Sequence, residues 1–245
     1  MSLFTPFIWI LILLPVIISA FIKSKNRNTK YLLYFLLYFF ADSYLQILGR
    51  QYINLEFIGL KFAWITKLIS LSIALAFILS VSKSEQEAIG FTTKTNSKKQ
   101  LRYGILVFLG FTLFDIIFKL ILFPKGASFD AETFIFQATM PGLSEEILFR
   151  GIFLWILEKA FPPQWNFKGI KFGWGFIIIT ILFAVMHGVV LTDTHQLKTD
   201  IITIVYLALI SSLSVGILRK FSGNLIFPVL GHNLINTINA IIRIL

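Results

Sequence analysis

Long apolar runs recur along the whole chain of 245 residues, and they restrict its fold more than any other feature. Each run is close to the length of about 20 residues that a helix needs to cross about 30 Å of hydrocarbon. The runs are longer and more continuous than the alternating segments of about 10 residues found in membrane barrels. The sequence therefore predicts an all-α fold, a polytopic transmembrane helical bundle of about eight spans. The spans are drawn at 3–22, 31–48, 62–82, 103–123, 134–157, 175–192, 201–218 and 225–245.

The composition leaves room for one membrane domain and for no sizeable soluble one. Hydrophobic residues make up 57% of the chain and charged residues only 14%. The absence of cysteine excludes disulfides, a cysteine nucleophile and a zinc site with cysteine ligands. We expect two parts: residues 1–102, with the first three spans and a cytoplasmic linker, and residues 103–245, with the last five spans.

The positive charge lies mainly in the linkers between spans. The formal net charge is +10, and this distribution favours anionic lipid rather than nucleic acid as the partner. We number each linker by the span that precedes it. The odd-numbered linkers, which follow spans 1, 3, 5 and 7, carry 14 of the 22 basic residues. The even-numbered linkers and the C-terminal end of the chain carry 5. Because basic loops stay in the cytoplasm, we expect both termini outside. Short loops and the lack of organelle signals favour a bacterial inner membrane.

Three ionisable residues lie close together inside the fifth predicted span. Each such group costs about 2.5–3.5 kcal/mol at the centre of a bilayer. Glu146 and Arg150 are spaced to pair on a helix, whereas Glu145 points elsewhere and has no basic residue three or four positions further on. A free carboxylate beside a paired one is a candidate general base, and an ion pair that locks two helices is the alternative. Pro141 predicts a break or kink just before this segment.

Two later spans each carry a histidine at a helical spacing from another motif residue. Phe183 shares a face with His187, and His232 shares a face with Asn236. Interhelical hydrogen bonding is the alternative role for these polar groups. Counted at 1.5 Å per residue, Glu145, His187 and Asn236 lie about 16–18 Å from the cytoplasmic side and His232 about 10 Å. We therefore expect one cavity near mid-membrane that opens toward the cytoplasm.

Other charged residues within spans are expected to be structural. Asp115 and Lys119 have the spacing of a helical ion pair. Lys67 is expected to extend to the membrane surface or to pair with Asp42.

The chain resembles the CPBP family of intramembrane proteases, the CAAX protease and bacteriocin-processing group also called Abi. Three family motifs occur in order, each in its own span: EExxxR, FxxxH and HxxxN. Here they are carried by Glu145, Glu146, Arg150, Phe183, His187, His232 and Asn236. The first three spans contribute nothing to this resemblance beyond being membrane spans.

The resemblance implies a membrane-embedded peptidase of about eight helices. Glu145 would activate water with help from His187, and His232 and Asn236 would stabilise the oxyanion of the tetrahedral intermediate. The expected function is hydrolysis of a peptide bond in a membrane-associated protein or peptide.

The other motif residues would have supporting roles. The resemblance implies that Glu146 and Arg150 orient the site, and Phe183 is the apolar member of the second motif. This agrees with the residue-level expectation of a paired Glu146 beside a free Glu145.

The sequence leaves the metal question and two other function classes open. No cofactor is expected, because the motif residues suffice without an ion, but Glu145, His187 and His232 could also form a zinc site with two histidines and one glutamate. The expected partners are a membrane protein or peptide substrate and the lipid bilayer, with no nucleic acid. The alternatives are a non-catalytic immunity or scaffold protein of the same fold, and a transporter that uses the polar cavity.

Overall fold

The computed structural model describes residues 1–53, 60–122 and 126–245, and the chain is mostly helical. The α-helices are α1 (Thr5–Lys23), α2 (Thr29–Tyr52), α3 (Trp64–Ser80), α4 (Lys83–Ile89), α5 (Lys98–Leu122), α6 (Ala131–Pro141), α7 (Leu154–Ala160), α8 (Trp174–Gly188), α9 (Ile201–Leu207), α10 (Ser214–Ser222) and α11 (Ile226–Ile244). Two π-helical segments, π1 (Gly142–Phe153) and π2 (Ala208–Leu213), continue helices without a break.

Four helical stretches of the described chain are long and apolar enough to cross a membrane. They are Thr5–Lys23, Thr29–Tyr52, Lys98–Leu122 and Ile201–Ser222, and two shorter apolar helices are Trp64–Ser80 and Trp174–Gly188. A mostly helical membrane fold is confirmed, and the figure of eight crossings stays a prediction. The predicted end of the fourth span at residue 123, and Lys125 beyond it, lie outside the described residues.

Polar caps begin several helices in the linkers. Asn28 accepts a hydrogen bond from the Lys30 amide at 3.1 Å at the start of α2. Asp130 and Asp200 begin α6 and α9 in the same way, accepting from amides three residues later. Such caps satisfy amides that the first helical turn leaves unpaired. The hydrogen bonds from Thr133 and Thr203 lower the pKa of Asp130 and of Asp200, respectively.

Two short antiparallel hairpins interrupt the helices. Strand β1 (Trp165–Phe167) pairs with β2 (Ile170–Phe172), and β3 (Val189–Leu191) pairs with β4 (Leu197–Thr199). The predicted sixth span, 175–192, is therefore too long, because α8 ends at Gly188 and the β-branched residues after it form a strand. His187 consequently lies at the end of its helix.

The main hydrophobic core is formed by buried side chains of π1, α7 and α8 together with those of α1, α2 and α3. Helix α1 packs on α8, α2 on α7, and α3 on π1, while α6 and π1 pack on α11 and α5 packs on α10. Phe35, Phe39 and Phe153 contact one another in this core. The indole of Trp9 donates to the Val189 carbonyl at 2.7 Å. The segment π1 thus lies among α3, α8 and α11.

The predicted break at Pro141 is a change of helix type. Pro141 and Gly142 keep right-handed helical backbone angles, with φ and ψ of −60° and −49°, and of −61° and −43°. The chain then continues as π1, with a wider hydrogen-bonding pattern. Pro141 is the last residue of α6, and the helical backbone continues from it into π1.

A buried polar cluster joins α5 to α9 and α11. The predicted pair of Asp115 and Lys119 is confirmed, with Oδ2 and Nζ 2.8 Å apart. Lys119 also donates to Asn239, and Tyr206 donates to Asp115. Removing two charges from solvent is costly unless they are paired and hydrogen-bonded, and this cluster meets both conditions.

Candidate active site

The structure brings the four predicted site residues together around one cavity of about 620 Å³. Glu145 comes from π1, His187 from α8, and His232 and Asn236 from α11. Phe183 also lines the cavity. The sequence prediction that these residues share one space is confirmed, and their catalytic roles stay a prediction.

Glu146 faces away from this cavity and holds a buried network. Its Oε2 lies 3.4 Å from Arg150 Nε, which confirms the predicted ion pair. Its Oε1 lies 2.7 Å from Nδ1 of His232. Arg150 also donates to the Ser212 hydroxyl at 2.9 Å, and its guanidinium lies 4.6 Å from the centre of the Phe183 ring. Glu146 therefore orients His232, a contact that the motif spacing did not predict.

The hydrogen bonds of the two histidines indicate which ring nitrogen of each carries a proton. Nδ1 of His187 lies 2.7 Å from the Phe183 carbonyl, and Nδ1 of His232 faces the Glu146 carboxylate. Because these oxygens accept hydrogen bonds, each Nδ1 carries a proton. In a neutral ring Nε2 is then an acceptor. His232 can donate from Nε2 to an oxyanion only as an imidazolium.

The prediction of a free Glu145 carboxylate is wrong. Lys67 Nζ of α3 lies 2.8 Å from Glu145 Oε1, and the two side chains are 14% and 17% exposed. Asp42, the predicted partner of Lys67, instead accepts a hydrogen bond from Ser70. The prediction considered only neighbours along the same helix, whereas Lys67 is 78 positions earlier in the chain. A lysine within an apolar span was the available signal.

A second cavity, of about 300 Å³, is also lined by Glu145. Glu145, His187 and Lys67 line both cavities. The second cavity also includes Asp42 and Ser70 among apolar side chains. Glu145 is therefore part of the wall of both cavities.

The cavity opens at the opposite end from the one that we predicted. Its walls include Arg50, near the end of α2, and three residues of the linker between α2 and α3, namely Leu60, Lys61 and Phe62. This linker is even-numbered, whereas the prediction assigned the opening to the odd-numbered linkers. The error came from the sixth span, because the early end of α8 places His187 beside the hairpin at the even-numbered end.

The site in this arrangement does not assemble the candidate zinc ligands. Within residues 1–53, 60–122 and 126–245, no group of three or more histidine, aspartate or glutamate side chains could hold a metal ion. The carboxylate of Glu145, one of the three candidate ligands, is instead engaged by Lys67. We therefore derive no step through a metal, and metal dependence stays open to experiment.

The long apolar helices define an integral membrane protein, and a cavity with polar and ionisable side chains lies between its helices. Residues 127–238 match the model of the family described as Type II CAAX prenyl endopeptidase Rce1-like. Comparison with curated proteins and with solved structures finds no match. Residues 127–238 are thus an Rce1-like domain of the CPBP family, which confirms the resemblance seen in the motifs and implies a peptidase. The match includes α6 to α10, π1, π2 and most of α11, and it begins after α5.

Proposed function

We propose that the protein is an intramembrane endopeptidase that hydrolyses a peptide bond of a membrane-associated protein or peptide. The supporting observation is that Glu145, His187, His232 and Asn236, from three separate helical segments, line one cavity. A water molecule takes about 30 Å³ of liquid volume, so a cavity of about 620 Å³ has room for water beside a peptide segment. The family match supports peptide-bond hydrolysis as the class of reaction. The side chains that line the cavity provide a chemical group for each step of that reaction.

Hydrolysis begins with proton transfer from water to Glu145. Nε2 of neutral His187 accepts a hydrogen bond from the same water and orients it. The water oxygen bonds to the carbonyl carbon as the proton moves to the carboxylate, and the carbonyl oxygen becomes an oxyanion. Protonated His232 and the side-chain amide of Asn236 donate to that oxyanion, because donors aimed at developing charge lower the barrier.

The intermediate then breaks down. Glu145 returns its proton to the amide nitrogen, the C–N bond cleaves, and a new carboxyl group and a new amine form. Lys67 keeps Glu145 charged and in place at membrane depth, where an unpaired carboxylate would be costly. A protonated Glu145 would leave Lys67 without its counter-charge, which favours passing the proton on to the leaving nitrogen.

The proposed setting is a bacterial inner membrane, crossed about eight times with both termini outside. The proposed mechanism needs no cofactor. Zinc is the alternative, and the test is to treat purified protein with a chelator and to measure both activity and bound zinc. Complete loss of activity that only zinc restores would contradict the metal-free proposal.

The function is tested by comparing peptide termini in cells that carry the wild type, Glu145→Gln or Glu158→Gln. Glu158 serves as a matched control because it lies in α7, outside the cavity, and pairs with Lys220. We expect a new peptide terminus in the wild type and in Glu158→Gln but not in Glu145→Gln. Equal cleavage in Glu145→Gln would contradict the proposed mechanism. Absence of any cleaved peptide would favour the scaffold or transporter alternatives.

A further inference from the structure

Hydrogen bonds join the described parts of the even-numbered linkers and the chain ends in pairs. The amide of Ser2 donates to the Leu191 carbonyl, which joins the N-terminus to the α8–α9 hairpin. The Glu132 carboxylate accepts from the Lys61 amide at 2.9 Å, which joins the first turn of α6 to the α2–α3 linker. The Ala127 amide donates to the Arg243 carbonyl near the C-terminus.

The odd-numbered linkers meet at the opposite end. The amide of Asn28, between α1 and α2, donates to the Ala160 carbonyl at the end of α7. The Asn96 amide, between α4 and α5, donates to the Ser222 carbonyl at the end of α10. Lys159, in the last turn of α7, pairs with Glu85 of α4. The structure thus supports the alternation of the linkers that the charge count assumed.

The two ends differ strongly in positive charge. The odd-numbered end holds Lys23, Lys25, Arg27, Lys30, Lys83, Lys94, Lys98, Lys99, Arg102, Lys159, Lys168, Lys171, Arg219 and Lys220. Among the described residues, the even-numbered end holds Arg50, Lys61, Lys198 and Arg243. Short basic loops remain in the cytoplasm, so the odd-numbered end is the cytoplasmic one.

The cavity reaches the other end. Arg50, Leu60, Lys61 and Phe62 lie at the even-numbered end, and each forms part of the cavity wall. We infer that the site opens on the extracytoplasmic side of the membrane. Resting on the proposed function, the substrate is then an exported or outward-facing segment of a membrane-associated polypeptide rather than a cytoplasmic tail.

The walls of the opening fit such a segment. Leu60, Phe62 and Phe136 are apolar, and the rings of Phe62 and Phe136 stack with their centres 4.4 Å apart. Lys61 pairs with Asp130 at 3.4 Å, which balances one of the basic groups at the rim. An apolar peptide segment at the level of the outer membrane surface would contact these rings on its way to Glu145.

The chain has no cysteine, so single cysteines can report the orientation directly. Lys61 and Lys94 are a matched pair, with side chains 67% and 74% exposed at opposite ends. In intact cells a membrane-impermeant maleimide should label Lys61→Cys, and it should label Lys94→Cys only after permeabilisation. The reverse pattern would overturn the inference. Lys198→Cys and Lys25→Cys provide a second pair should either variant fail to fold.

The cavity itself is tested with Ser211→Cys and Thr112→Cys. Both residues are buried hydroxyl residues, 8% and 4% exposed, but only Ser211 lines the cavity. A small charged thiosulfonate added outside should modify Ser211→Cys and spare Thr112→Cys. Modification of Ser211→Cys only from the cytoplasmic side, or from neither side, would overturn the inference. Neither labelling result depends on activity, so failure of the proposed function would be recognised separately.

Discussion

At the scale of single residues, two adjacent glutamates differ because their partners differ. Glu145 lines the cavity and contacts Lys67. Glu146 is fully buried between Arg150 and His232. The first position is suited to exchange a proton with water, and the second is suited to hold other side chains in place.

Replacing Glu146 by alanine should destabilise the fold. The change would leave the buried Arg150 without its carboxylate, and breaking a buried ion pair typically costs about 3–5 kcal/mol. Thermal unfolding of the purified protein in detergent should show a clear decrease in the melting temperature. Glu145→Gln is the comparison and should change it much less, since that site is partly open to the cavity. Equal melting temperatures for the two variants would contradict this division of roles.

Lys67 should affect turnover rather than substrate binding. With the peptide found by the terminus comparison, Lys67→Met should lower kcat at least tenfold, which corresponds to about 1.4 kcal/mol in the barrier. KM should change little, because Lys67 contacts Glu145. Lys67→Arg keeps the charge and should restore much of the rate. Unchanged kcat in Lys67→Met, or no recovery in Lys67→Arg, would contradict a positioning role.

The motif spacing predicted the four cavity residues, because one-turn spacings and membrane depth can be read along a chain. Two contacts could not be predicted in that way. The pairing of Glu145 with Lys67, and that of Glu146 with His232, each join helices far apart in sequence. Only the packing of α3 and α11 on π1 brings these groups within reach of each other.

At the scale of helices, the approach of π1 to α11 positions the site. The Gly142 amide donates to Asn233 Oδ1 at 2.8 Å. A Cβ atom at Gly142 would collide with the Asn233 side chain and with the Val229 carbonyl. Glycine is therefore required for this approach, which brings His232 next to Glu146.

Gly142→Ala should separate π1 from α11, lowering both activity and the melting temperature. Overpacking of this kind usually costs about 1–3 kcal/mol. Gly110→Ala is the matched control, because a Cβ at Gly110 has nothing within 4 Å. Melting curves and cleavage rates of the two variants check the prediction. A Gly142→Ala protein that behaves like Gly110→Ala would show that the close approach is dispensable.

A polar contact outside the spans joins α4 to α7. Glu85 accepts from Lys159 at 2.6 Å and from the Trp155 indole at 2.8 Å. The hydrogen bond from Lys159 holds the pKa of Glu85 below its ordinary value. A carboxylate with a lowered pKa stabilises the fold above its unfolded-state pKa of about 4.3, and this contribution is lost as the pH falls through the folded-state value.

Glu85→Gln should therefore melt at a lower temperature than the wild type at neutral pH. The difference between the two should shrink as the pH falls below about 4.3, because the wild-type carboxylate then becomes protonated. Melting curves across this pH range test the prediction. A difference that is the same at acidic and neutral pH would rule out the ionised contact as its source.

Hydropathy predicted where the apolar helices lie, but it did not predict their type or where they end. It could not distinguish π1 from an α-helix, since both bury the same apolar side chains. It extended α8 over Val189, Val190 and Leu191, which are apolar but form a strand. The polar linker after α3 also contains a short helix, α4, which Ser82 caps.

At the scale of the whole molecule, the helices before residue 127 complete the site. The family match begins after α5, yet α3 supplies Lys67 and the α2–α3 linker supplies part of the cavity wall. The division at residue 102 predicted from the sequence is therefore not a division of the site. The charge bias between linkers could be read from the sequence, whereas the end at which the cavity opens required the packed structure.

The most direct test is hydrolysis of the identified peptide by purified protein in water enriched in oxygen-18. The wild type should release a product whose new carboxyl group carries one oxygen-18 atom. Glu145→Gln, purified with a melting temperature close to that of the wild type, should release at least about a hundredfold less, in line with the loss of a general base. Cleavage by Glu145→Gln at the wild-type rate would contradict a glutamate-activated water in the membrane.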